Sequence, residues 1–239
     1  MPQAGLFSGP AWAPKLFDEE TSSYCFLRQS KEHLSSGFNL QTWGAKLNSL
    51  KWVPELSMHG RLTRYTAWLV PQECTCDYSY GNSKHAKSSY PQWFAELTKQ
   101  VADVVGVDPQ YLNSCCANKY VTSTHDLYWH CDGEPLFRAS GTDRDTFIVS
   151  LSLGASRQFG IRRKQSKEDK DALYLDLHNG DILIMQGRMQ DHYNHCIFKG
   201  ANYAGSQASS SNEDGVLRIN LTWRFLRCHL PTCVQERHR

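Results

Sequence analysis

The sequence predicts an α+β fold: a double-stranded β-helix, or jelly roll, with supporting helices at its N-terminal end. Three observations predict it. From Leu112 onward, apolar residues recur in short alternating runs, the period of half-buried strands. Turn-forming residues separate those runs, most strongly at Asn179-Gly180-Asp181. Helical spacing, by contrast, is confined to the part of the chain before Leu112.

Residues 1–55 read as a helical extension packed on the core. The clusters Leu16-Phe17, Phe26-Leu27 and Leu47 with Leu50 suggest one or two short helices over 15–50. Residues 56–230 read as the main domain. From Leu62 to Tyr80 aromatics and threonines alternate, which predicts strands and a loop. Pro91 to Val107 is the clearest helix. Trp93, Leu97, Val101 and Val104 or Val105 recur at helical spacing, and Pro91 suits a first turn.

Phe147 to Leu153 predicts a strand running into a turn at Gly154-Ala155-Ser156. Gln158–Ile161 and Leu173–Leu177 flank the charged segment Arg162–Asp171 as a hairpin with a long polar tip would. Ile182–Met185 follows the Asn-Gly-Asp turn as another strand. Gly200–Gly215 is rich in Ser, Ala, Gly and Asn and reads as a mobile loop. Arg218–Phe225 is the last strand. The sequence shows no internal repeat.

A chain of 239 residues, 40% hydrophobic and 12% aromatic, suffices for one large domain with a packed core. The net charge of +2 and pI of about 8.1 permit nucleic-acid binding without requiring it. No secretory leader or apolar run of membrane-spanning length is visible, so the expectation is an intracellular monomer with no membrane association, in nucleus or cytoplasm. Nine cysteines, an odd number without framework spacing, read as reduced thiols. Cys74-Thr75-Cys76, Cys115-Cys116 and Cys228-His229 with Cys233 offer zinc donors. None has the paired C-x-x-C spacing of a closed site, so ordinary thiols are expected.

The chemistry concentrates in three polar sets. Residues i and i+2 of a strand share a face, which groups His130 with Asp132, Asn118 with Tyr120, and Arg218 with Asn220, Thr222 and Arg224. The intervening Ile219, Leu221 and Trp223 are apolar and need a core of their own. The polar face must then line a cavity. Two arginines there call for an anion, because an unpaired buried charge is costly, and their forks suit carboxylates. His130, Asp132 and a distant His195 form the ligand set of a two-histidine, one-carboxylate facial triad for Fe(II). Metal ligands followed by an anion clamp point to iron-dependent oxidation coupled to 2-oxoglutarate decarboxylation.

These residues resemble the AlkB family of Fe(II)/2-oxoglutarate-dependent nucleic-acid dealkylases. The similarity rests on Asn118-Lys119-Tyr120, Trp129–Pro135, Ser150–Gly154, Gly180–Met185, His192–His195 and Arg218–Arg224. Arg64–Trp68 and Tyr78–Tyr80 look like the nucleotide-recognition lid, at about 60–85, of the animal DNA/RNA repair members. The resemblance spans roughly residues 60–227.

The resemblance implies Fe(II), 2-oxoglutarate and O2, with iron on His130, Asp132 and His195. Arg218 would pair with one co-substrate carboxylate, helped by Asn118 and Tyr120, while Arg224 and Asn220 serve the other end. Arg64, Trp68, Tyr78, Tyr80 and Glu134 would contact substrate, Tyr80 by stacking on a flipped base opposite His130. The reaction would remove N-methyl groups from DNA or RNA bases and release formaldehyde, succinate and CO2. The base must leave its stack to reach the metal.

Gly133 stands where close repair members carry an acidic residue, and Leu69-Val70 where they carry an aromatic and Gly. The finger that opens duplex DNA in one subgroup is not identifiable. These departures favour single strands. Arg157, Arg162, Arg163, Lys164, Lys167 and Lys170 on the hairpin are candidates for phosphate contact. Two further readings stay open. One is a same-fold oxygenase acting on a protein side chain or small metabolite; the other is a non-catalytic reader of modified nucleic acid.

Overall fold

The structure, a computed structural model, describes residues 23–27, 37–80, 83–137, 146–166, 168, 172–200 and 216–233. Two sheets face each other across a cavity. The larger has the order β1 (Ser23–Leu27), β12 (Ile182–Gly187), β9 (Thr146–Gly154), β14 (Arg218–Arg224), β7 (Ser114–Tyr120), β3 (Leu62–Val70), β2 (Val53–Leu56), with β6 (Ser88–Ser89) parallel to β3. The smaller has the order β11 (Leu173–Leu177), β10 (Arg157–Arg163), β13 (Tyr193–Ile197), β8 (Leu127–His130). A separate hairpin, β4 (Tyr78–Tyr80) with β5 (Ser83–His85), lies beyond β3. This is the expected jelly roll.

Helices α1 (Leu40–Asn48) and α2 (Gln92–Val105) cover the outer face of the larger sheet. Asn39 caps α1, its side chain accepting from the Thr42 N–H at 2.8 Å. Trp43 and Leu47 enter the core. Pro91 is the N-cap of α2 rather than a first-turn residue, and Gly106 ends the helix in the left-handed region at φ 77°. The buried stripe of α2 runs Phe94, Leu97, Val101, Ala102 and Val105. Trp93 therefore lies beside that stripe and Val104 is exposed.

Strand β14 shows why both sheet faces are occupied. Ile219, Leu221 and Trp223 belong to the core under α2, where Trp223 Nε1 donates to Thr98 Oγ1 at 3.0 Å. Its alternate residues turn toward the smaller sheet. A second core there joins Tyr120, Ile148, Phe159, Ile161, Met185 and Ile197. Gly154 ends β9 at φ 87°; a Cβ there would lie 2.3 Å from the Leu217 carbonyl oxygen, so only glycine permits this close approach.

Three expectations need correction. Phe26-Leu27 is not helical: Ser23–Leu27 pairs antiparallel with β12, where an aromatic-rich run meets an open sheet edge. The expected boundary at residue 55 falls inside β2, a strand of the main sheet, so the described part of the N-terminal segment is continuous with the core. The segment around Leu62–Val70 is also more than lid, because β3 pairs with both β2 and β7 and is almost wholly buried. Residues 1–22, the loop 201–215 and much of the hairpin tip lie outside the described residues.

Candidate active site

The two histidines meet because their strands pair in register. His195 of β13 lies directly opposite His130 of β8, and their ring centroids are 4.2 Å apart. Strand β8 ends at His130, so Asp132 reaches the histidines from the irregular segment that follows rather than by strand alternation. Gln190 holds that segment: its Oε1 accepts from the Asp132 backbone N–H at 2.8 Å. Asp132 Oδ1 is then 3.7 Å from His130 Nε2, and Oδ2 is 3.9 Å from His195 Nε2. The three donor atoms lie within 4.8 Å of one another.

Electrostatics prepare these side chains as ligands. His130 Nδ1 faces the Tyr128 carbonyl at 2.8 Å, which accepts the Nδ1 proton and leaves Nε2 to the cavity. Burial, reinforced by His130, pushes His195 down to about 3, so its imidazole is neutral as a ligand must be. Burial alone would raise Asp132. Arg224 and the two histidines outweigh it and hold the carboxyl well below the usual carboxylate range.

Facing them across a cleft of about 400 Å³, open to solvent, stand Asn118, Tyr120, Arg218, Asn220, Thr222 and Arg224 of the larger sheet. Arg218 is fully buried, and one nitrogen donates to Ser152 Oγ at 3.1 Å. Its Nε and Nη1 have no protein partner. Burial brings this guanidinium down to about 10. A buried cation with two idle donors in a cavity wall fits a ligand carboxylate. Arg224 pairs instead with Asp132, Nη2 to Oδ2 at 2.7 Å, and only its Nη1 is left idle. Asn220 is committed to the sheet: it donates to Ser150 Oγ and the Leu151 carbonyl and accepts from Thr222 Oγ1.

Compared with known proteins, residues 14–224 match the model of the 2OG-Fe(II) oxygenase superfamily. The chain belongs to the 2OG-Fe(II) oxygenase superfamily. It is a 2-oxoglutarate-dependent dioxygenase whose cofactor set is Fe(II), 2-oxoglutarate and O2, and the His130, Asp132 and His195 donors fit the iron. Among curated relatives, the alpha-ketoglutarate-dependent dioxygenase alkB homolog 3 of Bos taurus is 30% identical over 167 residues, 67% of this chain and 51% of the relative. The Homo sapiens protein of the same name is 29% identical over the same shares. The chain thus spans about half the length of these relatives. The solved structure of OsALKBH1 matches with a TM-score of 0.52 and 19% identity, covering 89% of this chain and 100% of that one, and so shares the fold. These similarities support AlkB family membership.

In this oxygenase the lid residues take unequal places. Arg64 is buried on β3, and its Nε donates to Asn118 Oδ1 at 2.8 Å. Trp68 is 2% exposed, stacks on Tyr78 with ring centroids 4.8 Å apart, and donates from Nε1 to the Cys76 carbonyl. Both lie on the same face of the larger sheet as Asn118, flanking the cleft rather than lining it. Tyr78 instead reaches toward the metal ligands: its hydroxyl donates to Glu134 Oε1 at 2.6 Å. Glu134 follows the end of β8 and does not share a strand face with the ligands. Burial, with Asp132 nearby, raises its carboxyl, and its Oε2 is buried without a partner. The backbone of Tyr80 completes β4; its side chain lies outside the described residues.

On the basic hairpin, Arg157 is buried and donates to the carbonyls of Thr122, Ser123, His125 and Phe198, so it braces loops and is not available to phosphates. Arg162 stacks over Trp129 at 4.2 Å. Lys164 Nζ donates to the Gln190 carbonyl at 2.8 Å, behind Asp132. Lys167 and Lys170 lie outside the described residues. Sequence reasoning missed Gln190, Ser152 and the Arg64–Asn118 contact. Each is a polar residue whose role depends on a partner at least 54 positions away, which no local pattern signals.

Proposed function

We propose that this dioxygenase oxidatively removes N-methyl groups from bases of DNA or RNA, with a preference for single strands, releasing formaldehyde, succinate and CO2. The observation that carries the reading is the Tyr78–Glu134 hydrogen bond. It holds, two residues after Asp132, a carboxyl with a buried, idle oxygen, a group suited to the polar edge of a base, and it fixes that carboxyl from a Tyr78 ring packed between Trp68 and His85. The names of the alkB homologues support the same reading. Substrate and compartment, nucleus or cytoplasm, belong to this proposal.

His130, Asp132 and His195 would hold the iron, and Arg218, with Asn118 and Tyr120 beside it, would hold the far carboxylate of 2-oxoglutarate. Arg224 would offer its idle Nη1 to the end nearer the metal, while Asn220 shapes the wall through its own hydrogen bonds. When bound, iron supplies the oxidation of the methyl carbon by O2. The chain orients both reactants, and Phe159, Met185 and Ile197 give the cleft its apolar lining.

The test is formaldehyde and succinate release from a panel of methylated single- and double-stranded oligonucleotides. Single-stranded substrates should turn over faster. Tyr80→Ala should lose roughly 1–3 kcal/mol of base stacking with little change in 2-oxoglutarate decay without substrate. Turnover of a methylated protein or metabolite, with none on any oligonucleotide, would replace this reading by the alternative oxygenase.

A further inference from the structure

Two segments that look unremarkable separately meet beneath the lid. Cys74 and Cys76 lie on the connection from β3 to β4; His229 and Cys233 lie on the tail after β14, about 150–160 positions later. His229 Nδ1 is 3.7 Å from Cys74 Sγ, 3.6 Å from Cys76 Sγ and 3.4 Å from Cys233 Sγ. Cys74 and Cys233 sulfurs are 3.9 Å apart. All four donor atoms lie within 4.8 Å of one another.

We propose that Cys74, Cys76, His229 and Cys233 bind one Zn²⁺ in a closed structural site that fastens the base of the lid to the C-terminal tail. The spacings are those of a tetrahedron around such an ion. Bonds of about 2.3 Å to sulfur and about 2.05 Å to nitrogen put sulfurs about 3.8 Å apart and sulfur about 3.6 Å from nitrogen. Three thiolates and an imidazole select zinc, whereas the imidazole–carboxylate set above suits Fe(II). Backbone N–H groups already point at the sulfurs: Thr75 to Cys233 at 3.4 Å and Leu230 to Cys76 at 3.2 Å. Such donors stabilise metal-bound thiolates. Tight turns aim the ligands inward, with the Cys74 N–H on the Pro71 carbonyl and the Cys233 N–H on the Leu230 carbonyl.

The three cysteines are at most 1% exposed, and four protein donors leave no position for a substrate. The spacing argument against zinc fails here because each segment supplies only half of the site. Its place explains its use. Trp68 Nε1 is tied to the Cys76 carbonyl, and Tyr78 follows two residues later. Zinc would therefore fix the root of the strand that delivers Tyr78 to Glu134.

The experiment uses the full chain, purified under reducing conditions. Elemental analysis should find one zinc per chain, retained in Asp132→Ala, and absent from Cys76→Ala and from Cys233→Ala. Zinc-edge absorption of the wild type should show three sulfurs at about 2.3 Å and one nitrogen at about 2.0–2.1 Å. Should those cysteine variants fail to fold, alkylation of the folded wild type decides: Cys74, Cys76 and Cys233 should resist until a strong chelator is added. A chain that binds no zinc in competition with a chromophoric chelator would overturn the proposal. So would zinc without sulfur ligands, or a Cys74–Cys233 disulfide in the reduced preparation.

Discussion

Arg224 and Asp132 form a buried pair in which both Nη2 and Nε approach the same carboxylate oxygen, at 2.7 and 3.1 Å. Asp132 thus turns Oδ1 toward His130, while Oδ2 faces both the arginine and His195. Removing one partner of a buried pair strands the other charge, at a cost of about 3–5 kcal/mol. Arg224→Met should lower metal-free stability in urea by about that much, and Mn(II) should restore part of it by supplying a new counter-charge. Wild-type stability in the variant, with or without Mn(II), would show that the pair does not hold Asp132.

Arg218 presents the opposite case, a buried cation whose Nε and Nη1 await a partner. Arg218→Met should leave stability without 2-oxoglutarate unchanged or raised, because it removes an uncompensated charge. The same variant should lose the thermal stabilisation that 2-oxoglutarate gives the wild type. Loss of charge-assisted hydrogen bonds of about 1.5–3 kcal/mol corresponds to an affinity lower by about 10- to 100-fold. Arg218→Lys should recover little, since lysine lacks the fork. An unchanged titration in either variant would refute the assignment.

Tyr78 and Glu134 should behave as one unit. Tyr78→Phe and Glu134→Gln each break or weaken the 2.6 Å bond, so the double variant should be no worse than the more damaging single one. The coupling, read from kcat/KM on a methylated oligonucleotide, should be about 0.5–3 kcal/mol. Metal content and 2-oxoglutarate affinity should stay near wild type. Strictly additive losses would separate the two residues.

His195 gives the metal-free protein an acid sensitivity. Its folded value near 3 lies below the ordinary value of about 6.5. Above about pH 6.5 the imidazole is neutral in both states. As pH falls from there toward the folded value, the unfolded chain takes up a proton that the folded chain refuses. Stability should then fall by up to about 1.4 kcal/mol per pH unit from this group. Urea midpoints between about pH 6.5 and 4.5 should show a shallower slope in His195→Gln. Equal slopes would mean that His195 is not held neutral.

What the sequence made legible follows from periodicity. On β14 the alternation of Arg218, Asn220, Thr222 and Arg224 with Ile219, Leu221 and Trp223 announced a strand buried on both faces, and the structure divides these residues between cavity and core as that pattern requires. His130 and Asp132 do converge, but for a different reason: β8 ends at His130 and Gln190 captures the following backbone. Trp68 and Arg64 carried the lid motif, and β3 sets them on the same sheet face as Asn118, beside the cleft rather than in its lining. The sequence offered Cys74, Cys76, His229 and Cys233 as separate zinc donors, but their meeting was hidden for a topological reason, since the two halves come from opposite ends of the domain.

Of the proposed metal ligands, His130 and His195 hang from the four-stranded sheet and Asp132 follows directly after its strand β8, whereas Arg218 hangs from the eight-stranded one. A molecule that reaches from the iron to Arg218 is therefore a strut across the sandwich. Opening the two halves would have to break it at one end or the other. Co-substrate and metal together should slow amide exchange in strands far from either, such as β11 and β3, more than the two effects measured singly would sum to. The fuel of the reaction would then also be a keystone of its vessel, and a chain short of 2-oxoglutarate would be easier prey for proteases than one that is idle but loaded.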